Sequence, residues 1–165
     1  MSPGTIFTEQ ELMNMLGEIP DPEIPVISIV ELGVIRGIKQ EKDTVEVLIT
    51  PTYSGCPAMK QMEEDVILKL KSKGLQNVSV KMIYHPTWTT DWLSDQAREK
   101  LRVYGIAPPE GKSDKSLLST HPKSVTCPRC KSRNTEMVSQ FGSTACKALY
   151  KCRGCLEVFD YFKCI

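Results

Sequence analysis

The spacing of apolar residues predicts three β-strands in the first hundred residues. Val45, Val47 and Ile49 alternate with polar or outward-facing residues just after the polar sequence QEKD, which predicts a β-hairpin. A third strand is predicted where apolar residues again occupy every second position: Val78, Val80, Met82 and Tyr84.

Helical spacing and capping residues predict three helices. Thr8 and Glu11 form a capping box for the first helix, Pro57 begins the second, and Ser94 caps the third. The apolar faces of the second and third helices are Met59, Met62, Val66 and Leu70, and Ala97, Leu101 and Tyr104. The resulting order α-β-β-α-β-α is typical of a small α+β domain with a mixed sheet.

Composition changes along the chain and divides it into two domains. The segment 110–125 is polar, contains proline and lacks periodicity, as a linker does. The residues after it hold too few apolar side chains to fold by burial alone. We therefore predict an α+β domain over 1–109, a linker over 110–125 and a metal-stabilised module over 126–165. Charge divides in a similar way, with a net of −4 over 1–112 and +5 over 113–165.

Four cysteines in the C-terminal module have the spacing of a metal site. Cys127 and Cys130 form one Cys-x-x-Cys pair, and Cys152 and Cys155 form a second. Each pair can bind one metal from a tight turn, with short strands in the spacer, which predicts a zinc-ribbon-like site. Gly154 is expected to supply a positive φ within its turn. A closed site of four cysteines has no open position, so its predicted role is structural.

Alternatives to a zinc site remain at this stage. An iron–sulfur cluster also uses four thiolates, and the cysteines could instead be unligated or redox-active thiols. Cys146 and Cys164 are additional to the four. We interpret Cys146 either as a small buried residue or as a second thiol near the metal.

Cys56 is the one cysteine outside the C-terminal module. It precedes Pro57, so we predict that it is the N-cap of the second helix, where free amides and the helix dipole favour a thiolate. The alternative is a buried cysteine beneath the sheet.

A pair of carboxylates stands in the loop sequence DPEIP. Asp21 and Glu23 are candidates for a metal or charge site with Cys56, or for residues that only cap a turn. His85 is interpreted as a hydrogen-bonded residue at the end of the third strand, and Trp88 and Trp92 as packing residues.

Several classes of function are disfavoured by the sequence. No apolar run is long enough to span a bilayer and no secretory signal is recognised, which favours the cytoplasm. The basic tail lacks a dense patch with interleaved aromatic residues, so nucleic-acid binding is not expected. No Ser-His-Asp set, phosphate-binding loop or H-E-x-x-H motif is present, so we expect no independent catalysis.

The motifs resemble the metal–sulfur cluster assembly factor family. DPEIPVISIVELGVI, TPTYSGCPAM and HPTWTTDWLSDQAREKLRVYGIAPP carry this resemblance over roughly residues 8–109. It implies an α+β domain whose functional residues are Cys56, Asp21 and Glu23, with Thr50 and Thr52 in the adjoining turn. Tyr53 is bulkier than the residue that many members carry in this turn, so their metal geometry is not carried over.

The tail sequence GSTACKALYKCRGCLEVFDYFKC narrows the resemblance to the branch that accompanies bacterial phenylacetyl-CoA epoxidase in aerobic phenylacetate degradation. This implies a maturation-type auxiliary subunit that helps insert iron or an iron–sulfur cluster into the oxygenase or its reductase through Cys56. Its implied cofactors are zinc and a transient iron or iron–sulfur cargo, and a homodimer stays open. The rival hypotheses are a scaffold protein that docks through the zinc ribbon, and a thiol exchange protein.

Overall fold

Three helices and seven strands form over residues 6–110 and 123–163, which the computed structural model describes. In chain order they are α1 Glu9–Leu16, β1 Ile35–Glu41, β2 Thr44–Ile49, α2 Ala58–Ser72, β3 Asn77–Met82, α3 Asp95–Tyr104, β4 Ile106–Ala107, β5 Thr135–Ser139, β6 Lys147–Cys152 and β7 Val158–Phe162. A short 3₁₀ turn at Thr90–Trp92 precedes α3. The chain divides into two compact units, and the division falls between Trp88 and Thr89. The predicted α+β class is confirmed.

The first unit contains a three-stranded mixed sheet in the order β1-β2-β3. β1 and β2 form the predicted antiparallel hairpin, and Lys42 turns it with a φ of +52°. β3 pairs with β2 in parallel, so α2 is the crossover of a β-α-β unit. The predicted apolar face of α2 is buried, at Met59, Met62, Val66 and Leu70.

The capping box of α1 is present as predicted. The Thr8 hydroxyl accepts from the Glu11 amide at 3.2 Å, and the Glu11 carboxylate accepts from the Thr8 amide at 2.7 Å. Leu12 and Leu16 then lie on one side of α1 and are buried. Local capping thus begins this helix, and two apolar contacts anchor it to the unit.

The second unit contains a four-stranded sheet in the order β4-β7-β6-β5. β5, β6 and β7 are antiparallel to their neighbours, whereas β4 joins β7 in parallel. The core on one face is small and includes two cysteines of the predicted metal site: Ala107, Val125, Cys127, Ala148, Tyr150, Cys152, Phe159 and Tyr161. The C-terminal module therefore packs as a β-ribbon whose core is continuous with the cysteine cluster.

Two pattern-based details were wrong. Tyr84 lies beyond the end of β3 and is exposed, because the strand stops at Met82. Tyr104 is also exposed, since only Ala97 and Leu101 on its predicted face reach the core.

Some sequence-based expectations are not decided by the fold. The domain boundaries at 109/110 and 125/126 stay a prediction. Cys164 lies outside the described residues. None of the helices in the described part of the chain is long and apolar enough to cross a membrane.

Candidate functional site

The four cysteines of the two Cys-x-x-Cys pairs converge on one point. Their Sγ atoms all lie within 4.8 Å of one another. The sulfur of Cys127 is 3.7 Å from that of Cys155, and the sulfur of Cys130 is 3.5 Å from that of Cys152. With Zn–S bonds of about 2.3 Å, a tetrahedral site has sulfur–sulfur edges of about 3.8 Å. The donor set and its dimensions therefore fit a tetrahedral metal ion.

Each pair sits in a turn of the same construction. The Cys127 amide donates to the Ser132 carbonyl at 2.9 Å, and the Cys152 amide donates to the Glu157 carbonyl at 2.8 Å. Both bonds span five residues. The residue after each second cysteine then adopts a left-handed conformation, with a φ of +63° at Lys131 and +65° at Leu156.

The expectation for Gly154 was wrong in this respect. The positive φ of each turn falls one residue after the second cysteine, at Lys131 and Leu156, and Gly154 is not among the residues with positive φ. Gly154 has a different role, because a Cβ there would lie 3.3 Å from the Ser132 hydroxyl and 3.5 Å from the Cys152 sulfur. It allows the two turns to pack closely.

The cysteines of the cluster differ in their pKa values. The Cys155 amide, 3.5 Å from the Cys152 sulfur, lowers the pKa of Cys152 to about 7 although burial opposes this. The Glu157 amide favours a thiolate at Cys155, but burial and the neighbouring sulfurs raise the pKa of Cys155 to about 12. Four thiolates can therefore coexist here only when a bound cation compensates their charge. The group is a metal-binding site.

Cys146 is not part of this site. It directly precedes β6, whereas Cys152 ends that strand, so the two lie about 20 Å apart at the usual rise of a strand. Cys146 is buried, and its sulfur lies 2.9 Å from the Thr144 hydroxyl. Of the two interpretations of Cys146, the structure supports the small buried residue.

A second group of candidate residues gathers at one edge of the three-stranded sheet. The Thr50 amide donates to the Val34 carbonyl at 3.0 Å, so the chain enters β1 where it leaves β2. β3 is parallel to β2 and ends there too, since the Ile83 amide donates to the Ile49 carbonyl at 2.8 Å. The segments that follow β2 and β3 at this edge carry Thr50, Thr52, Cys56 and His85, whereas Asp21 and Glu23 stand in the separate loop between α1 and β1. Ligands of α/β units commonly bind at such an edge.

Cys56 lies in the turn between β2 and α2. Its predicted place as N-cap was wrong, because Pro57 itself occupies the N-cap with a φ of −69° and a ψ of −20°. Gly55 makes the turn with a φ of +76°, and Cys56 is 8% exposed. Cys56 is thus one residue before the cap of α2.

Asp21 acts as a cap for its own loop. Its Oδ1 atom accepts from the Glu23 amide at 2.9 Å and from the Ile24 amide at 2.6 Å. Asp21 is buried, and Glu23 is half-buried. The turn-capping interpretation of Asp21 therefore holds.

Thr50 differs from its neighbours in having an unsatisfied hydroxyl. Thr50 is 1% exposed, and its Oγ1 atom has no hydrogen-bond partner among the described residues. Burial of an unpaired hydroxyl costs roughly 1–3 kcal/mol, so such groups often mark a ligand site. Thr52, two residues on, is also buried.

His85 was interpreted as a hydrogen-bonded residue at the end of the third strand, and this stays a prediction. The structure places it in the exposed segment after β3, at the same edge as Cys56. Within residues 6–110 and 123–163, only the four ribbon cysteines form a group of three or more potential metal ligands. The edge residues are thus not a preformed three-ligand site.

Two family models match separate parts of the chain. Residues 9–82 match a model described as an iron–sulfur cluster assembly protein, and residues 111–163 match the PaaD zinc beta ribbon domain. Together with the fold and the cysteine cluster, these matches define an iron–sulfur assembly-type domain joined to a zinc ribbon.

A curated relative extends over nearly the whole chain. It is a protein of Escherichia coli K12 that is provisionally named as one of the subunits of 1,2-phenylacetyl-CoA epoxidase. It is 48% identical to this chain, over 94% of this chain and 92% of its own length. The chain belongs to the PaaD family.

Other relatives cover the first part of the chain. An Fe-S protein maturation auxiliary factor of Porphyromonas gingivalis is 36% identical over 57% of this chain and 90% of its own. A DUF59 domain of Bacillus anthracis shares 27% identity with a TM-score of 0.53, over 56% of this chain and 90% of its own. A conserved hypothetical protein of Thermotoga maritima shares 30% identity with a TM-score of 0.50, over 61% and 98%. These solved structures support the fold of the first unit.

Proposed function

We propose that this chain is a maturation-type auxiliary subunit of a phenylacetyl-CoA epoxidase system in the bacterial cytoplasm. It assists the insertion of iron or an iron–sulfur cluster into the oxygenase or its reductase, and Cys56 carries the cargo. Asp21, Glu23, Thr50 and Thr52 line the path of transfer. The ribbon cysteines hold one structural zinc ion, and the chain performs no independent catalysis.

The single observation that carries this proposal is the sheet edge with Cys56. A thiol stands one residue before a helix cap, and the buried Thr50 hydroxyl at that edge has no hydrogen-bond partner among the described residues. A cysteine thiolate is a suitable ligand for iron. Family membership supplies the biological setting, because relatives carry the names of an epoxidase subunit and an Fe-S maturation factor.

The proposal is tested by replacing the thiol. We expect Cys56→Ser to lower the iron content of the co-expressed oxygenase or reductase severalfold, because serine is a poor ligand for iron. Iron and acid-labile sulfide in both purified components measure this. The control is Cys146→Ser, which removes another buried cysteine outside the metal site. Iron loading at the unmodified level with Cys56→Ser, together with full epoxidase activity, would contradict the proposal.

The identity of the ribbon metal has its own test. We expect about one zinc per chain after anaerobic purification, lost in Cys127→Ser and Cys152→Ser and unchanged in Cys56→Ser. Elemental analysis and an absorption spectrum measure this. A brown protein with about four irons per chain would instead indicate a cluster in the ribbon. Thiolates that zinc holds exchange poorly with disulfides, so tightly bound zinc also argues against a thiol exchange function.

A scaffold protein within the oxygenase complex is the second candidate, favoured by the low exposure of Cys56. Cys56 is only 8% exposed, and the Asp21 carboxylate already caps its own loop. A scaffold that docks through the ribbon predicts that Cys56→Ser is silent. It also predicts that Cys127→Ser and Cys152→Ser abolish association with the oxygenase in pull-down experiments.

A further inference from the structure

The four ribbon cysteines differ in how exposed they are to solvent. Cys127 and Cys152, the first cysteine of each pair, are fully buried and belong to the ribbon core. Cys155 is partly buried and packs against the same core. Cys130 differs from the other three because it is exposed. The metal site is therefore covered on the side of the core and open to solvent at one of its ligands.

The turn that carries Cys130 explains this exposure. The Lys131 amide donates to the Cys127 carbonyl at 3.0 Å, and the Cys127 amide donates to the Ser132 carbonyl at 2.9 Å. These two bonds reverse the chain at residues 129–131, and all three residues there are exposed. Cys130 lies in the middle of this reversal and is not among the residues that pack against the ribbon core.

Cys130 also differs from the cysteines outside the metal site. Cys56 is 8% exposed and Cys146 is 4% exposed, so among the cysteines that the structure describes only Cys130 is exposed. Oxidation of cysteine by a peroxide requires a thiolate that the oxidant reaches. A cysteine that binds zinc is held as a thiolate. Cys130 meets both conditions in the zinc-loaded chain.

The sulfur of Cys130 is in contact with a sulfur of the other turn. The Sγ atoms of Cys130 and Cys152 lie 3.5 Å apart, the shorter of the two sulfur contacts described above between the turns. Because Cys152 is fully buried, an oxidant in solution meets Cys130 first. Cys152 is then in place to react with the oxidised form of Cys130.

We propose that Cys130 is an oxidation site, at which hydrogen peroxide starts the formation of a Cys130–Cys152 disulfide and the release of the zinc ion. The Cys130 sulfur attacks one peroxide oxygen, the O–O bond breaks, and the departing hydroxide takes up a proton to form water. The Cys152 sulfur then attacks the sulfenic acid at Cys130, the S–O bond breaks, and a second hydroxide leaves and is protonated to water.

The balance of this reaction explains why the metal leaves. Two thiolates, one hydrogen peroxide and two protons give one disulfide and two waters, so the two sulfurs are oxidised and the peroxide is reduced. The site then retains two of its four thiolate ligands and no longer holds the ion tightly. The reaction differs from thiol–disulfide exchange because the oxidant is a peroxide. It involves the ribbon alone, so this inference does not depend on the proposed function.

The first test treats the full, zinc-loaded chain with about one equivalent of hydrogen peroxide under anaerobic conditions. A chromogenic zinc chelator follows metal release, and mass spectrometry after alkylation and digestion identifies the oxidised cysteines. We expect zinc release to accompany a peptide pair linked through Cys130 and Cys152, and a dithiol reductant with added zinc to restore the site. Zinc retention while Cys56 or Cys146 is oxidised overturns the proposal. Zinc release with a disulfide inside either turn, Cys127–Cys130 or Cys152–Cys155, also overturns it.

The second test removes the exposed thiol and keeps the metal. Three cysteines and one histidine form a common structural zinc site, so Cys130→His should retain about one zinc per chain. We expect this variant to release zinc at least about tenfold more slowly than the unmodified chain under peroxide. Cys155→His is the matched control, because it makes the same replacement at a partly buried ligand and keeps Cys130 and Cys152.

The comparison of the two variants decides the role of exposure. Protection in Cys130→His without protection in Cys155→His supports the assignment of Cys130. Equal protection in both variants, or none in Cys130→His, overturns it. If Cys130→His does not bind zinc, the peptide map of the unmodified chain decides the proposal, because the position of the first disulfide needs no variant.

Discussion

At the scale of single residues, Gly142 stands where a neighbouring carboxylate occupies the space that a side chain would need. Gly142 lies in the loop before β6, and its amide donates to the Lys147 carbonyl at 2.7 Å. A Cβ at Gly142 would lie 2.4 Å from Oδ1 of Asp160 and 3.3 Å from the Cβ of Lys147. Asp160 is held in the middle of β7, and its other oxygen accepts from the Ser143 hydroxyl at 3.0 Å. A side chain at position 142 would therefore displace either this carboxylate or the loop.

We therefore expect Gly142→Ala to lower the free energy of unfolding by roughly 1–3 kcal/mol, the usual cost of overpacking. Urea unfolding followed by circular dichroism measures this on zinc-loaded protein. Gly37→Ala in β1 is the matched control, because its Cβ would only reach ordinary contact with Leu48 at 3.6 Å. Equal midpoints for Gly142→Ala and the unmodified chain would show that Asp160 moves aside easily.

At the scale of elements, caps and helix faces could be predicted from the sequence because they depend on residues within one or two turns. The Thr8–Glu11 capping box, the Ser94 cap and the buried face of α2 are examples. The residues with positive φ in the ribbon could not be predicted from the sequence. Their conformation depends on the hydrogen bonds that close the two turns, from the Cys127 amide to the Ser132 carbonyl and from the Cys152 amide to the Glu157 carbonyl. Neither Lys131 nor Leu156 has a side chain that signals such a conformation.

The Asp21 carboxylate organises the turn that follows it, and it is also a candidate for function. We expect Asp21→Ala to lower the free energy of unfolding by roughly 1–3 kcal/mol, since the amides of Glu23 and Ile24 lose their acceptor. Asp21→Asn keeps an acceptor oxygen and should recover more than half of this loss. Urea unfolding of both variants measures the difference.

The variants Asp21→Ala and Asp21→Asn also show whether iron delivery needs the negative charge of Asp21 or only its turn-capping hydrogen bonds. If the carboxylate charge serves the cargo, Asp21→Asn will be stable and yet deliver less iron to the co-expressed epoxidase components. Iron delivery by Asp21→Asn at the unmodified level would restrict Asp21 to capping its turn.

At the scale of the whole molecule, the sequence predicted the fold class and the four metal ligands, because periodicity and cysteine spacing are strong local signals. The sheet edge shared by Thr50, Cys56 and His85 needed the register of three strands, which no local pattern contains. β4 shows the same limit. It has only two residues, Ile106 and Ala107, and pairs with β7 more than fifty residues later. Such a pairing depends on contacts that are distant in sequence.

The pairing of β4 has a consequence for the response to metal removal. α3 leads directly into β4, and Ala107 of β4 belongs to the ribbon core together with Cys127 and Cys152. That core is small, so its stability depends on the metal. We expect that a strong chelator, or Cys152→Ser, unfolds α3 together with the ribbon and leaves residues 6–88 folded. Amide hydrogen exchange followed by mass spectrometry measures the protection of each segment.

If the domain boundary lies at 109/110, as the sequence predicted, α3 belongs to the first domain. In that case α3 keeps its protection from hydrogen exchange when the metal is removed. Cys146→Ser is the control for loss of a buried thiol without loss of metal. Protection of α3 in the metal-free chain, with residues 123–163 exchanging freely, would place α3 in the first domain. Loss of protection in α3 and the ribbon together would make the zinc ion a stabiliser of the whole second unit, which begins at Thr89.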